Sequence, residues 1–261
     1  MFAKKSLGQH FLNSKHVLEQ IIVAGKIQKD ENILEIGPGT GVLTEALLSA
    51  GARVLAIEKD IRAYELLKEK FATEIFSGRL VLILGDVLEQ ESSVSSLNSN
   101  YALIANIPYY ITGAILEKFL EHEPRPNRMV LLVQKEVAER IVARPEQSTG
   151  KSKESVLSIS VKVFGDPKII AKVPPGAFTP PPTVDSAILS IENISNSSNI
   201  DTKQFFKIVK AGFAHKRKFL KRNLEKVLTV EKINETWIRL ALDEKVRAED
   251  LSPKDWINLV N

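Results

Sequence analysis

The chain has 261 residues, 44% of them hydrophobic and 26% charged, an ordinary globular composition with room for one large core and a small appendage. Zero Cys excludes a disulfide framework or a thiolate metal site, and no apolar run reaches the ~18 residues of a membrane span. Residues 198–261 hold 14 Lys+Arg against 9 Asp+Glu, so the net charge of +4 comes from the last quarter of the chain and points to an anionic partner.

The opening residues, MFAKKSLGQHFL, have no apolar stretch, so no secretory signal is expected and a cytoplasmic protein is. Residues 14–24 predict a helix with Ser14 as N-cap and Gly25 closing it. Strands and helices then alternate: NILEIG, RVLAIEKD, LVLILGD, YALIANIP and RMVLLVQ are strand-like, and TGVLTEALLSAG, DIRAYELLKEKF, TGAILEKFLEHE and KEVAERIVAR are helical. Nearly continuous Val/Ile/Leu strands predict a parallel sheet covered on both faces. VLSISVKVFG, KIIAKV and SAILSIEN are strand-like with no helix between them, which predicts an antiparallel edge. ENISNSSNID, residues 192–201, is a linker pattern, and only helical patterns follow, the last with Ser252, Pro253 and Asp255 in capping positions. The fold class is therefore α/β: a doubly wound domain over 1–192 and a small helical domain over 193–261.

Gly37, Gly39 and Gly41 lie between the first strand and its helix, where a backbone can approach a ligand closely. Glu58 ends the second strand, positioned to accept from ribose hydroxyls. Asp86 ends the third, where it could accept from an adenine amine. A nucleoside-bearing ligand fits all three ends. NAD and S-adenosylmethionine both qualify; a mouth holding Glu35, Glu58 and Asp86 suits a sulfonium cation better than a pyrophosphate. Glu35 is expected to support the site from behind. STGKS, residues 148–152, is not a phosphate-binding loop, because the glycine required five residues before Gly150 is Pro145. His10, His16, His122 and His215 share no ligand spacing, so no metal is expected.

The fourth strand ends in Asn106-Ile107-Pro108-Tyr109-Tyr110. An amide and a phenol there suit methylation of an exocyclic base amine. The Asn106 side-chain oxygen and the Ile107 carbonyl can accept the two hydrogens of adenine N6, and Tyr109 can stack on the base for ~1–3 kcal/mol. On residues alone, a strand-closing turn with packing tyrosines remains the alternative.

SLGQHFL, LEIGPGTGVLTEAL, NIPYYIT, LLVQKEVAERIVARP, VPPGAFTPPPTVDSAIL, GFAHKRKFLKRNL and RAEDLSP together resemble the motifs of the rRNA adenine N6-dimethyltransferase family, most closely its bacterial small-subunit branch, the KsgA type. The resemblance runs over nearly the whole chain. It implies a class I S-adenosylmethionine-dependent methyltransferase fold, S-adenosylmethionine as cofactor, and small-subunit rRNA as partner. The implied reaction is N6,N6-dimethylation of two adjacent adenosines in the 3′-terminal hairpin during small-subunit maturation, by a monomer. The alternatives are a resistance-type methyltransferase of large-subunit rRNA, a non-catalytic assembly factor, and a nicotinamide oxidoreductase.

Carried onto this sequence, the resemblance implies cofactor contacts at His10, Leu12, Gly37, Gly39, Glu58, Asp86, Val87 and Asn106. It implies catalytic roles for Asn106, Ile107 and Tyr109, with Phe178 on the other face of the target base; Phe178 read alone is equally a loop residue plugging the core. His10 stands where many members have Asn, and Glu154-Ser155 replaces a Tyr-Gly pair. In the tail, Lys216, Arg217, Lys218, Lys221 and Arg222 form a predicted basic helix face that grips RNA phosphates, with Phe213, Phe219 and Leu220 packing inward.

Overall fold

The computed structural model describes residues 8–97, 100–143, 153–194 and 200–260. The first part of the chain forms β1 (Phe11–Leu12), α1 (Lys15–Gly25), β2 (Asn32–Ile36), α2 (Val42–Ser49), β3 (Arg53–Glu58), α3 (Ile61–Lys70), α4 (Ala72–Phe76) and β4 (Leu80–Leu84). Next come α5 (Glu91–Ser95), β5 (Tyr101–Asn106), α6 (Thr112–Glu121), β6 (Arg128–Gln134), α7 (Lys135–Val142) and α8 (Val156–Phe164). The chain ends with β7 (Asp166–Val173), β8 (Phe178–Thr179), β9 (Ser186–Glu192), α9 (Thr202–Gly212), α10 (Leu220–Leu224), α11 (Val230–Leu240) and α12 (Pro253–Val260).

Seven strands form one sheet in the order β4-β3-β2-β5-β6-β9-β7. The strands from β4 through β6 are parallel, while β9 runs antiparallel to both β6 and β7, giving the expected antiparallel edge. Leu103, Ile104, Val130 and Leu131 are almost wholly buried, which explains why these strands lack a polar alternation. Chain order reverses between β2 and β5, and ligands of open α/β sheets bind outside the strand ends at such a switch. A separate two-stranded sheet pairs β1 with β8, Leu12 opposite Phe178.

Contacts divide the chain into two compact units. One takes residues 1–138 and 166–196, the other 139–165 and 197–261, so the helical unit draws on a segment well before the tail. Part of that earlier segment corrects a sequence expectation. VLSISVKVF, expected as a strand, is α8. Its alternating serines look like a solvent face, but each is satisfied locally. Ser155 and Ser158 form a reciprocal capping box, and Ser160 Oγ donates to the Val156 carbonyl at 2.7 Å. Glu154, at the departure from the family pattern, accepts from Ser158 Oγ and from Lys162 Nζ while almost fully buried. With its polar atoms absorbed this way, a β-branched segment makes a stable buried helix.

The basic stretch is a second correction. α9 ends at Gly212, where the Trp256 ring packs so closely that a Cβ would meet it at 2.4 Å. Lys216, Arg217 and Lys218 therefore lie in a turn, and of the basic residues only Lys221 and Arg222 are on α10. Phe219 does not pack inward; it is 40% exposed. STGKS and residues 195–199 of the expected linker lie outside the described residues.

Candidate active site

The switch between β2 and β5 opens a cleft at the carboxyl ends of the strands, the place where open α/β sheets bind ligands. It is walled by residues 8–12, 35–40, 57–59, 85–87 and 106–111. Every position expected to meet the cofactor lines this cleft: His10, Leu12, Gly37, Gly39, Glu58, Asp86, Val87 and Asn106. Gly37 and Gly41 both adopt left-handed backbone, with φ of 64° and 77°. A Cβ at Gly37 would meet nothing within 4 Å, whereas one at Gly41 would meet Phe71 and Leu67 at 2.6 and 2.7 Å. The first keeps the cleft floor open, and the second seats α2 against α3.

The acids are arranged by the protein's own donors. Glu58 accepts from the Gly39 amide at 2.9 Å and the Asp60 amide at 2.7 Å. Burial pushes its carboxyl above the usual range, and those amides pull it back. Each oxygen keeps a lone pair for a hydroxyl in the cleft. Asp86 accepts from Lys59 Nζ at 2.6 Å and from the Leu88 amide at 3.0 Å, and the Lys59 bond holds its carboxyl low. Glu35 differs. It is 1% exposed, burial pushes its carboxyl up to about 8, and its Oε2 has no hydrogen-bond partner. Glu35 is itself part of the cleft wall, where a donor or cation would satisfy that orphan oxygen.

The β5 ladder ends at Asn106 opposite Leu132, and Pro108 then turns the chain into a short 3₁₀ helix, Tyr109–Ile111. Asn106 Nδ2 donates to the His10 carbonyl at 3.1 Å. That bond turns the amide nitrogen toward the protein and leaves the side-chain oxygen as acceptor. The Tyr109 hydroxyl bonds Ser186 Oγ at 2.6 Å, and its ring stacks on His10 with centroids 5.8 Å apart. That separation is too small to admit a third ring, so a base would meet the face of Tyr109 away from His10.

Phe178 is not on the cleft wall. It is 3% exposed and belongs to the buried cluster that includes Leu12, Val17 and Ile188. Bringing it out would cost about 1.5–3 kcal/mol, close to what stacking on a base would return.

Sequence reasoning missed what holds residues 8–12 across the cleft. His10 Nδ1 bonds the Pro180 carbonyl at 2.8 Å, Asn13 Nδ2 donates to Thr179 Oγ1 at 2.6 Å, and Gln9 Nε2 donates to Asp60 Oδ2 at 3.1 Å. Arg62 holds the Asp60 carboxyl well below the usual range. Asp60 carried a signal as the N-cap of α3; the contacts across some 170 residues carried none.

The basic residues of the tail are unequal. Lys221 bonds both carboxylate oxygens of Glu244 at 3.1 and 3.2 Å. Lys216, Arg217, Lys218 and Arg222 are exposed and have no carboxylate partner among the described residues.

A family model described as ribosomal RNA adenine dimethylase matches residues 2–261. Among curated relatives, the ribosomal RNA small subunit methyltransferase A of Dehalococcoides mccartyi is 39% identical over 259 residues, 97% of this chain and 86% of that protein. That of Thermosynechococcus vestitus is 36% identical over 263 residues, covering 98% and 95%. Among solved structures, a dimethyladenosine transferase from Plasmodium falciparum matches with a TM-score of 0.78 and 28% identity over 96% of each chain. The 23S rRNA methyltransferase ErmE matches in fold with a TM-score of 0.70 and 21% identity, covering 96% and 98%. The fold is that of the class I methyltransferases, and the chain belongs to the ribosomal RNA adenine dimethylase family.

Proposed function

We propose that this chain transfers methyl groups from S-adenosylmethionine to N6 of two adjacent adenosines in the 3′-terminal hairpin of small-subunit rRNA, giving N6,N6-dimethyladenosine. It would act as a cytoplasmic monomer on the immature small subunit; among the described residues no helix is long and apolar enough to cross a membrane. Residues 1–192 would carry the chemistry and 193–261 the RNA. The observation that carries the reading is Asn106, whose amide nitrogen donates to the His10 carbonyl and whose oxygen is left as acceptor at the carboxyl end of β5. Its support in kind is the run of relatives called small subunit methyltransferase A.

The cleft suits the cofactor by the chemistry of its donors and acceptors. Glu58 would accept from ribose hydroxyls, Asp86 from the adenine amine, and Gly37 and Gly39 would let the backbone close in. Leu12 and Val87 would supply apolar contact, and the orphan Oε2 of Glu35 would face the cationic side. When bound, S-adenosylmethionine supplies an electrophilic methyl on a sulfonium sulfur.

The chain's own work is placement. Asn106 Oδ1 and the Ile107 carbonyl accept the two N6 hydrogens, orienting the amine and stabilising the positive charge that develops on it. Tyr109 holds the base by its ring, and its bond to Ser186 keeps that ring from swinging. Phe178 would take the opposite face of the base once the ring leaves the core. N6 inside a duplex cannot reach the cleft, so the adenosine enters unpaired or flipped. No covalent intermediate on the protein is needed, and positioning supplies most of the acceleration.

Labelled S-adenosylmethionine offered with separated ribosomal subunits tests this directly. Label mapping to two adjacent adenosines of the small-subunit hairpin is expected. Label on the large subunit, or none on either, would overturn the reading.

A further inference from the structure

Phe219 is 40% exposed, while the next residue, Leu220, is fully buried. A single exposed aromatic is ordinary on any surface. Here the backbone beneath it is tied down. The Lys218 amide donates to the His215 carbonyl at 3.0 Å and the Leu220 amide to the Val246 carbonyl at 2.8 Å. The buried Asn223 side chain donates to the Gly212 carbonyl at 2.6 Å and the His215 carbonyl at 3.2 Å. The other aromatic of this stretch, Phe213, is stacked on Trp256 instead, with centroids 5.6 Å apart. Phe219 is thus held outward by a fixed loop, so little conformational freedom remains to be lost when it meets a partner.

What surrounds the ring decides the partner. Lys216, Arg217, Lys218 and Arg222 are exposed, and none pairs with a carboxylate among the described residues. Docking an apolar protein surface over Phe219 would bury these cations without compensation, and interface centres are depleted of such charges. A nucleic acid neutralises them with phosphates and offers a π-face to the ring. In a duplex that face is covered by its stacked neighbours, so the base must be unpaired.

We propose that Phe219 is a stacking platform for an unpaired RNA base, a contact separate from the adenosine that is methylated. The inference rests on the RNA-substrate reading above. It gives the tail a preference for single-stranded or bulged RNA that charge alone would not give.

The test uses the full-length chain and a short fluorescent single-stranded RNA, free or annealed to its complement. Phe219→Ala should weaken single-strand binding on the order of ten-fold, with an unchanged salt slope and little effect on the duplex. Phe219→Trp should keep the affinity, and its emission should be quenched by the single strand; Trp237 and Trp256 are buried and contribute a constant background. Thermal unfolding of both variants should match the parent. Wild-type binding by Phe219→Ala, full recovery with Phe219→Leu, or an unquenched Trp would each overturn the platform. If Phe219→Ala binds normally while the parent methylates small subunits, only this inference falls; absence of both RNA binding and methyl transfer removes it together with the reading beneath it.

Discussion

The acidic cleft and the basic loop treat their charges in opposite ways. In the cleft, Glu58 and Asp86 are already held by backbone amides and by Lys59 before any ligand is considered. On the loop and the start of α10, Lys216, Arg217, Lys218 and Arg222 stand exposed with no carboxylate partner among the described residues. Pre-bonded acids are fixed in position and selective, because a ligand must fit the lone pairs that remain. Unpaired cations are undemanding about geometry and respond to any dense row of phosphates. On the function proposed above, one region would discriminate a small molecule and the other would hold a large polyanion.

The largest expected break falls on the turn after β5, where the proposed chemistry takes place. Asn106→Ala should lower turnover roughly 10²–10³-fold, the cost of losing one preorganised group at a developing charge. RNA affinity should hardly change, because the interaction strengthens only as the amine attacks. Steady-state kinetics at saturating cofactor reads this; recovery there to near-normal turnover would reduce Asn106 to a binding residue.

Next come the pre-bonded acids. Glu58→Ala and Asp86→Ala should each weaken S-adenosylmethionine binding by roughly 1.5–3 kcal/mol. Titration calorimetry checks both, and unchanged affinity in the pair would remove the cofactor from this cleft. Because burial raises the Glu58 carboxyl and only its ionised form accepts two hydroxyls, affinity should climb with pH through that raised value and then level off.

Glu35 sharpens the comparison in the ligand-free protein. Its folded carboxyl holds a proton up to about pH 8, above an unfolded value of 4.5. The contribution is therefore complete below the unfolded value and is lost as pH rises toward the folded one, with a slope of at most about 1.4 kcal/mol per pH unit. Denaturant melts across that window should show the decline in the parent and a flatter profile in Glu35→Gln.

The smallest effects belong to the basic residues of the tail. Reversing Lys216, Lys218 and Arg222 to Glu should reduce the salt slope of RNA binding by ~0.7–0.9 per lost phosphate contact. Lys221→Ala, which removes a lysine already bonded to Glu244, should change that slope least. Equal slopes for the two variants would erase the distinction between paired and unpaired cations.

The parallel strands were legible because burial on both faces writes itself as continuous Val/Ile/Leu runs, and the cleft because glycine and acid recur at successive strand ends. α8 was not, since Ser158 and Ser160 imitate a strand's polar face while bonding within their own turn. The basic turn was mistaken for helix because helical spacing of Phe213, Leu220 and Leu224 survives a break set by Trp256 packing on Gly212. In the site, residue types were readable and their partners were not. Nothing local announces that Ser186 holds Tyr109 or that the Pro180 carbonyl holds His10.

The His10 carbonyl has a consequence for the order in which substrates load. Residues 8–12 wall the cleft, and the same segment orients the Asn106 amide. A ligand that steadies this strap therefore also steadies the acceptor for the base, and a base docked on that acceptor returns the favour. Thermodynamic reciprocity makes the two gains equal. Cofactor and adenosine should bind with positive cooperativity, each tightening the other by one shared factor whichever arrives first.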